Sequence, residues 1–124
     1  MEEIIKKHTV SVKNAWAGIV WAFKTQPNFT IHFILSLLAI GMGLYVELTN
    51  VEWVLIVFTI FWGLGAEMIN TALESMTDLI TQEWHEKAKT AKDVAAGMML
   101  MTAFGAIGVA LLLLLPKLLF KLGL

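Results

Sequence analysis

Apolar residues run through this chain in three long uncharged stretches: Thr25 to Val46, Trp53 to Ala66, and Val94 to Pro116. The first and third are long enough to cross a hydrocarbon core of about 30 Å, which takes about 20 residues of α-helix. The second reaches that length only by continuing past Ala66 into Glu67 and Asn70, which places those two polar residues near one end of a span. Before the first stretch, residues 1–24 follow a different pattern. Ile5, Val12, Trp16, Ile19 and Phe23 cluster on one helical face, and Lys6, Lys7, Lys13 and Lys24 lie on the other. A helix with an apolar face, a basic face and aromatics suits the headgroup layer of a membrane. The expected architecture is an all-α membrane protein, one domain over 1–124, with an amphipathic interfacial helix over 1–24. Membrane helices follow over 29–46, 51–78 and 93–115.

Punctuation supports these boundaries. Pro27, within Thr25-Gln26-Pro27-Asn28, separates the interfacial helix from the first span, and Pro116 is expected to end the third. Glu47 to Glu52 reads as a short acidic turn, and Thr81 to Asp93, the most charged segment, as a surface connection. Gly97, Gly105, Gly108, Ala103 and Ala106 give the third span small surfaces for close packing. His32 and Ser36 are the polar members of the first span; a lone His there reads as a packing residue.

Composition changes this picture in a few places. The chain is 58% hydrophobic, which places it in a membrane. It has no cysteine, so thiolate and disulfide chemistry are excluded. All 9 basic residues are lysines, so no guanidinium fork is present to grip a phosphate. A net charge of −1 gives bulk electrostatics no partner to name, and no nucleic-acid partner is expected. No apolar h-region follows Glu2 and Glu3, so no cleaved signal peptide is expected. Lysines gather in the N-terminal segment and in 81–93 and are missing from 47–52. The positive-inside tendency then puts the N-terminus and the 81–93 connection in the cytoplasm, with Lys117 and Lys121 in weak disagreement.

The candidate chemistry lies where the second span turns polar. Glu67, Asn70, Glu74 and Asp78 are spaced three, four and four apart. On a helix they share an arc of roughly 80° and about 16 Å of axis. Ionisable groups at membrane depth cost several kcal/mol unless they face protein, water or an ion, so a functional site is the first reading of such a stripe. Carboxylates with an amide oxygen are hard ligands suited to Mg²⁺, nearby lysines can neutralise phosphate, and a spare carboxylate can act as base. Together these describe phosphoryl transfer. Two other classes remain open on spacing alone: a small transporter using intramembrane carboxylates, and a helix bundle with no reaction. Phosphate-binding glycine loops and the H-E-x-x-H metal motif are missing; His85-Glu86 has Lys89 where the second His would fall.

Glu67-x-x-Asn70-Thr71-Ala72-x-Glu74-x-x-x-Asp78, followed by His85, Ala91-Lys92-Asp93 and Ala95-Ala96, resembles the prokaryotic diacylglycerol kinase family. Asn28-Phe29-x-Ile31-His32 is similar to its undecaprenol kinase branch. The resemblance covers essentially the whole chain. It implies an ATP-dependent, Mg²⁺-requiring lipid kinase of the cytoplasmic membrane, assembled as a homotrimer and acting on a lipid hydroxyl. By position, Glu67 matches the general base and Glu74 a Mg²⁺ ligand, with Asn70 and Asp78 partners of the site. Lys92 and Asp93 match nucleotide contacts; Glu83, Trp84 and His85 match the loop against the nucleotide. Asn14 and Lys7 match nucleotide-side positions on the first helix. Two positions depart from the pattern: Gln26 stands where a second metal-side Glu is usual, and Thr30 where the branch often carries Arg.

Gln keeps an oxygen ligand and loses its charge, so Mg²⁺ is expected to be held largely by Glu74 and ATP. Gln26→Glu is expected to lower the Mg²⁺ concentration that gives half-maximal rate. Titrating Mg²⁺ in a kinase assay tests this, and an unchanged or higher requirement removes Gln26 from the metal's surroundings.

Overall fold

The computed structural model describes the backbone of all residues and the side chains of 1, 3, 4 and 11–124. It is helical from end to end, with α1 over Glu2–Thr25, α2 over Pro27–Tyr45, α3 over Asn50–Ile80 and α4 over Glu86–Val109. A π-helical turn, Ala110–Leu114, joins α4 to α5, Leu115–Leu122. Three of these units are long and apolar enough to cross a membrane: α2 with 19 residues, α3 with 31, and α4 through α5 with 37.

The junction of α1 and α2 is tighter than the sequence suggests. Only Gln26 leaves the helix, at φ −110° and ψ 102°, and Pro27 opens α2 from its first turn. Proline is suited to that position, because its fixed φ is helical and its missing N–H would have had no partner. Phe23 then packs edge-on against Phe29 and Phe33, with ring centroids 4.9 and 4.8 Å apart. Thr30 ties the same corner by donating its hydroxyl to the Phe23 carbonyl at 3.4 Å. Beyond that corner α1 is sparsely covered: Val12, Trp16 and Trp21 are exposed.

The other end of the bundle is clamped. Val46, Leu48, Ile56 and Leu114 form its buried core, with Met42, Trp53 and Ile60 packed around them. The α2 C-terminus closes in a Schellman arrangement, Leu48 N–H bonding the Gly43 carbonyl at 3.1 Å and Glu47 N–H that of Leu44 at 3.3 Å. The residue that such a turn holds left-handed is commonly Gly, yet here it is Glu47, at φ 58°. A side chain there costs about 1 kcal/mol, and Glu47 has a use for its own. Its carboxylate takes the Lys121 ammonium at 2.7 Å, and the same ammonium donates to the Tyr45 carbonyl at 2.6 Å. Lys117 pairs with Glu52 at 3.0 Å. Glu52 also completes a capping box with Thr49 at the start of α3. Thus Lys117 and Lys121, the two lysines at odds with the positive-inside pattern, are engaged by acidic residues of the α2–α3 turn.

The structure corrects two expectations from the sequence. Pro116 does not end the third span: the helix runs on to Leu122. A proline removes one N–H and crowds the carbonyl four residues back, and the π turn just before it widens the backbone where that conflict falls. Nor is 81–93 a connection throughout. Only residues 81–85 lie outside helix, and His85 starts α4 by accepting the Lys87 N–H on Nδ1 at 3.2 Å. Lys87, Lys89, Lys92 and Asp93 therefore stand on a helix.

Two outcomes follow from the clamp. A Cβ on Gly43 would lie 2.8 Å from Leu48 Cδ1 and 2.9 Å from Trp53 Cη2. Gly43→Ala is expected to destabilise the protein by about 1–3 kcal/mol, while Gly41→Ala, which meets open space within the chain, does not; thermal melting in detergent distinguishes them. The hydrogen bond and charge of Lys121 hold the Glu47 carboxyl below the usual glutamate range. Its folded value is depressed, so this stabilisation is complete above the unfolded value near ~4.3 and disappears as pH falls through the folded one. The difference in melting temperature between wild type and Glu47→Gln should therefore be present at neutral pH and vanish in acid.

Candidate active site

The stripe of polar residues on α3 emerges from the bundle interior toward the end opposite the clamp. At 1.5 Å per residue α3 is about 46 Å long, well beyond a hydrocarbon core of about 30 Å. With Val51 at one boundary, about 20 residues bring the other boundary to Asn70. Glu67 and Asn70 then lie at the edge of the apolar slab, and Glu74 and Asp78 beyond it.

Burial follows the same gradient. Glu67 is 3% exposed and Asn70 7%, with Thr71 beside them at 8%. Glu74 is half-buried and Asp78 exposed. Asn70 donates its Nδ2 to Glu74 Oε1 at 3.2 Å, which fixes which way the amide faces. Its Oδ1 is buried with no hydrogen-bond partner. Glu67 makes no hydrogen bond or ion pair with any described residue. A buried acceptor left unsatisfied costs about 1–3 kcal/mol. Asn70 Oδ1 is such an acceptor, and with the unpartnered Glu67 beside it forms a place that a donor can fill.

Asp78 accepts the Lys92 ammonium at 2.5 Å, joining the end of α3 to the second turn of α4. This ion pair sets Lys92 at the mouth of the stripe; Lys92 does not pair with Glu67. Asp93, the next residue, points elsewhere and pairs with Lys89 along α4. Glu83, Trp84 and His85 are exposed around the 81–85 turn. Asn14 is exposed on α1, and the Lys7 side chain lies outside the described residues. Gln26, half-buried at the α1–α2 junction, donates to Thr25 Oγ1 at 3.3 Å. The structure thus brings Glu67, Asn70, Glu74, Asp78 and Lys92 into one continuous stripe. Asn14, Gln26 and the 81–85 turn belong to other elements, and no hydrogen bond among the described residues joins them to it.

Among the described residues no three His, Cys, Asp or Glu side chains converge as a ready-made metal cage. A Mg²⁺ site does not require such a cage, since this ion takes one or two carboxylates and completes its shell with water and substrate phosphates. Glu74, held by Asn70, supplies a carboxylate of that kind. Thr71 is the residue that sequence reasoning missed; lying four residues after Glu67 and one after Asn70, it shares their buried face.

A bundle of three apolar helices with a buried carboxylate at the membrane edge and a lysine on its rim defines a membrane protein with an interfacial polar site. The chain belongs to the prokaryotic diacylglycerol kinase family, whose model matches residues 13–114. It is 42% identical to a diacylglycerol kinase of Synechocystis sp. over 89% of this chain, and spans 63% of that protein's length. It is 38% identical to the undecaprenol kinase of Bacillus subtilis over 87% of this chain and 88% of that one. A diacylglycerol kinase of Escherichia coli is 25% identical over 75% of this chain and 76% of its own.

Proposed function

We propose that this protein transfers the γ-phosphoryl group of ATP to the hydroxyl of a membrane lipid, with Mg²⁺, at the cytoplasmic face of the cell membrane. The observation that carries this reading is the buried, unpartnered Glu67 beside the orphaned Asn70 oxygen, at membrane-edge depth on a chain of this family. The lipid is an alcohol of the undecaprenol or diacylglycerol kind, in keeping with the names of the relatives.

A lipid hydroxyl reaches this depth because its tail stays in the hydrocarbon. Its proton finds Glu67, whose carboxylate has no competing partner. As the hydroxyl oxygen bonds to the γ-phosphorus, the bond from phosphorus to the bridging oxygen of ADP breaks, and the hydroxyl proton passes to Glu67. A carboxylate base placed in this way contributes about 10²–10⁴-fold. Lys92, set at the rim by Asp78, neutralises phosphate oxygens. Glu74 would hold the metal, which would supply charge neutralisation at the phosphates. Asp93, Glu83, Trp84, His85 and Asn14 are the nucleotide-side residues, with Lys7 a further one. The lysines of α1 and of the start of α4 support a cytoplasmic location for both. A homotrimer brings α1 and the 81–85 turn of neighbouring copies to each stripe, which accounts for site residues that one copy leaves apart.

Purified protein in mixed micelles, supplied with MgATP and either undecaprenol or diacylglycerol, is expected to form the lipid phosphate. Glu67→Gln is expected to reduce the rate by about 100-fold or more. Product from neither lipid refutes the reading, and full activity in Glu67→Gln removes Glu67 as the base.

A further inference from the structure

The polar stripe leaves out His32. This residue stands on α2 in the segment Asn28-Phe29-Thr30-Ile31-His32, and the structure gives it more than a packing role. Its Nδ1 is 4.0 Å from the point where a Cβ on Gly63 would stand, and no other neighbouring atom lies within that distance of the point. The ring therefore lies at the mouth of the notch that a missing side chain leaves on α3, at ordinary contact distance from where a Cβ would stand. Gly63 and Glu67 are four residues apart, so they share one face of that helix. His32 reaches that face from across the α2–α3 contact. An imidazole N–H can donate to a carboxylate while that carboxylate works as a base.

The hydroxyls that share the His32 cavity are engaged elsewhere. Ser36, Thr59 and Thr102 line the same cavity of about 360 Å³ as His32 and Gly63. Their hydroxyls donate to carbonyls of their own helices, those of His32, Leu55 and Met98, at 2.7, 2.7 and 2.9 Å. Neither ring nitrogen of His32 is hydrogen-bonded among the described residues, and Glu67 likewise has no partner. His32 and Glu67 thus both lack a partner among the described residues, and Gly63, which the ring approaches, lies one helical turn from Glu67.

We propose that His32 is the positioning residue for Glu67: with lipid bound, its ring N–H turns to one carboxylate oxygen so that the other faces the lipid hydroxyl. This rests on the kinase reading of the stripe. Gly63 is part of the arrangement, since a larger residue in the notch would push the imidazole away from α3. A misplacement of about 1 Å can cost about 10²-fold in rate, so the effect should appear in kcat. MgATP binding, on the far side of the stripe, should be indifferent to it.

The test is a double-mutant cycle on the full-length protein in mixed micelles, measuring kcat and the KM for MgATP. His32→Ala is expected to lower kcat about 10- to 100-fold with KM for MgATP unchanged. His32→Gln, which keeps an N–H donor, should recover most of the rate, and Gly63→Leu should mimic His32→Ala without touching the imidazole. In a Glu67→Gln background none of these changes should lower the rate further, because residues that act as a unit are non-additive. Additive losses, a rise in KM with kcat preserved, or no recovery in His32→Gln would overturn the proposal. If His32→Ala does not fold, as judged by melting and elution, His32→Gln and Gly63→Leu carry the cycle. Wild type inactive on both lipids sinks the kinase reading and this inference with it; an active wild type with an additive cycle sinks this inference alone.

Discussion

Everything in this small protein turns on a carboxylate placed where carboxylates are expensive. Glu67 sits inside an apolar helix, nearly fully buried, with no counter-ion at hydrogen-bonding distance among the described residues. An ion in such a place costs several kcal/mol even after relaxation. Packing alone would be served better by Leu or Met. The neighbouring Asn70 repeats the pattern on a smaller scale, one end of its amide bonded to Glu74 and the other end left open. Unsatisfied buried polar atoms are rare in native interiors, and one beside an unpartnered carboxylate is more readily understood as a receptor for a hydroxyl than as a defect.

The rest of the fold can be seen as what allows that placement. At the far end of α3, a Schellman turn, a capping box and two ion pairs lock α2, α3 and the C-terminal helix together. With that end held, and Thr49 and Glu52 fixing where α3 begins, the length of α3 alone sets the depth of Glu67. The π turn before Pro116 lets α4 continue as α5, so that Lys117 and Lys121 reach the clamp. At the opposite end both partners of each ion pair are exposed. Lys92 and Asp78 form a surface pair, of a kind worth roughly 0–1 kcal/mol, so a lysine there can be exchanged between a carboxylate and a phosphate at little cost.

Most of the architecture was legible from the chain. Hydrophobic runs longer than about 20 residues leave few options in a bilayer, and the polar stripe follows from helical periodicity once α3 is drawn through it. The boundaries were harder. Pro116 looked like a terminator because a π turn has no signature of its own, and 81–93 looked like loop because a charged helix start resembles one. Lys117 and Lys121 depart from the positive-inside pattern and are held by Glu52 and Glu47, a pairing between distant parts of the chain that no local pattern announces. His32 was the least visible. A single His among apolar residues carries no period, and its meaning depends on a glycine on the next helix.

The most direct measurement is the thermal stability of Glu67→Met set against its rate of lipid phosphorylation. If Glu67 is held in place for chemistry against the preference of the fold, the variant will melt at the same temperature as wild type or higher while its activity is lost. If the variant instead loses stability and keeps its activity, Glu67 is a structural residue and the base for the lipid hydroxyl lies elsewhere.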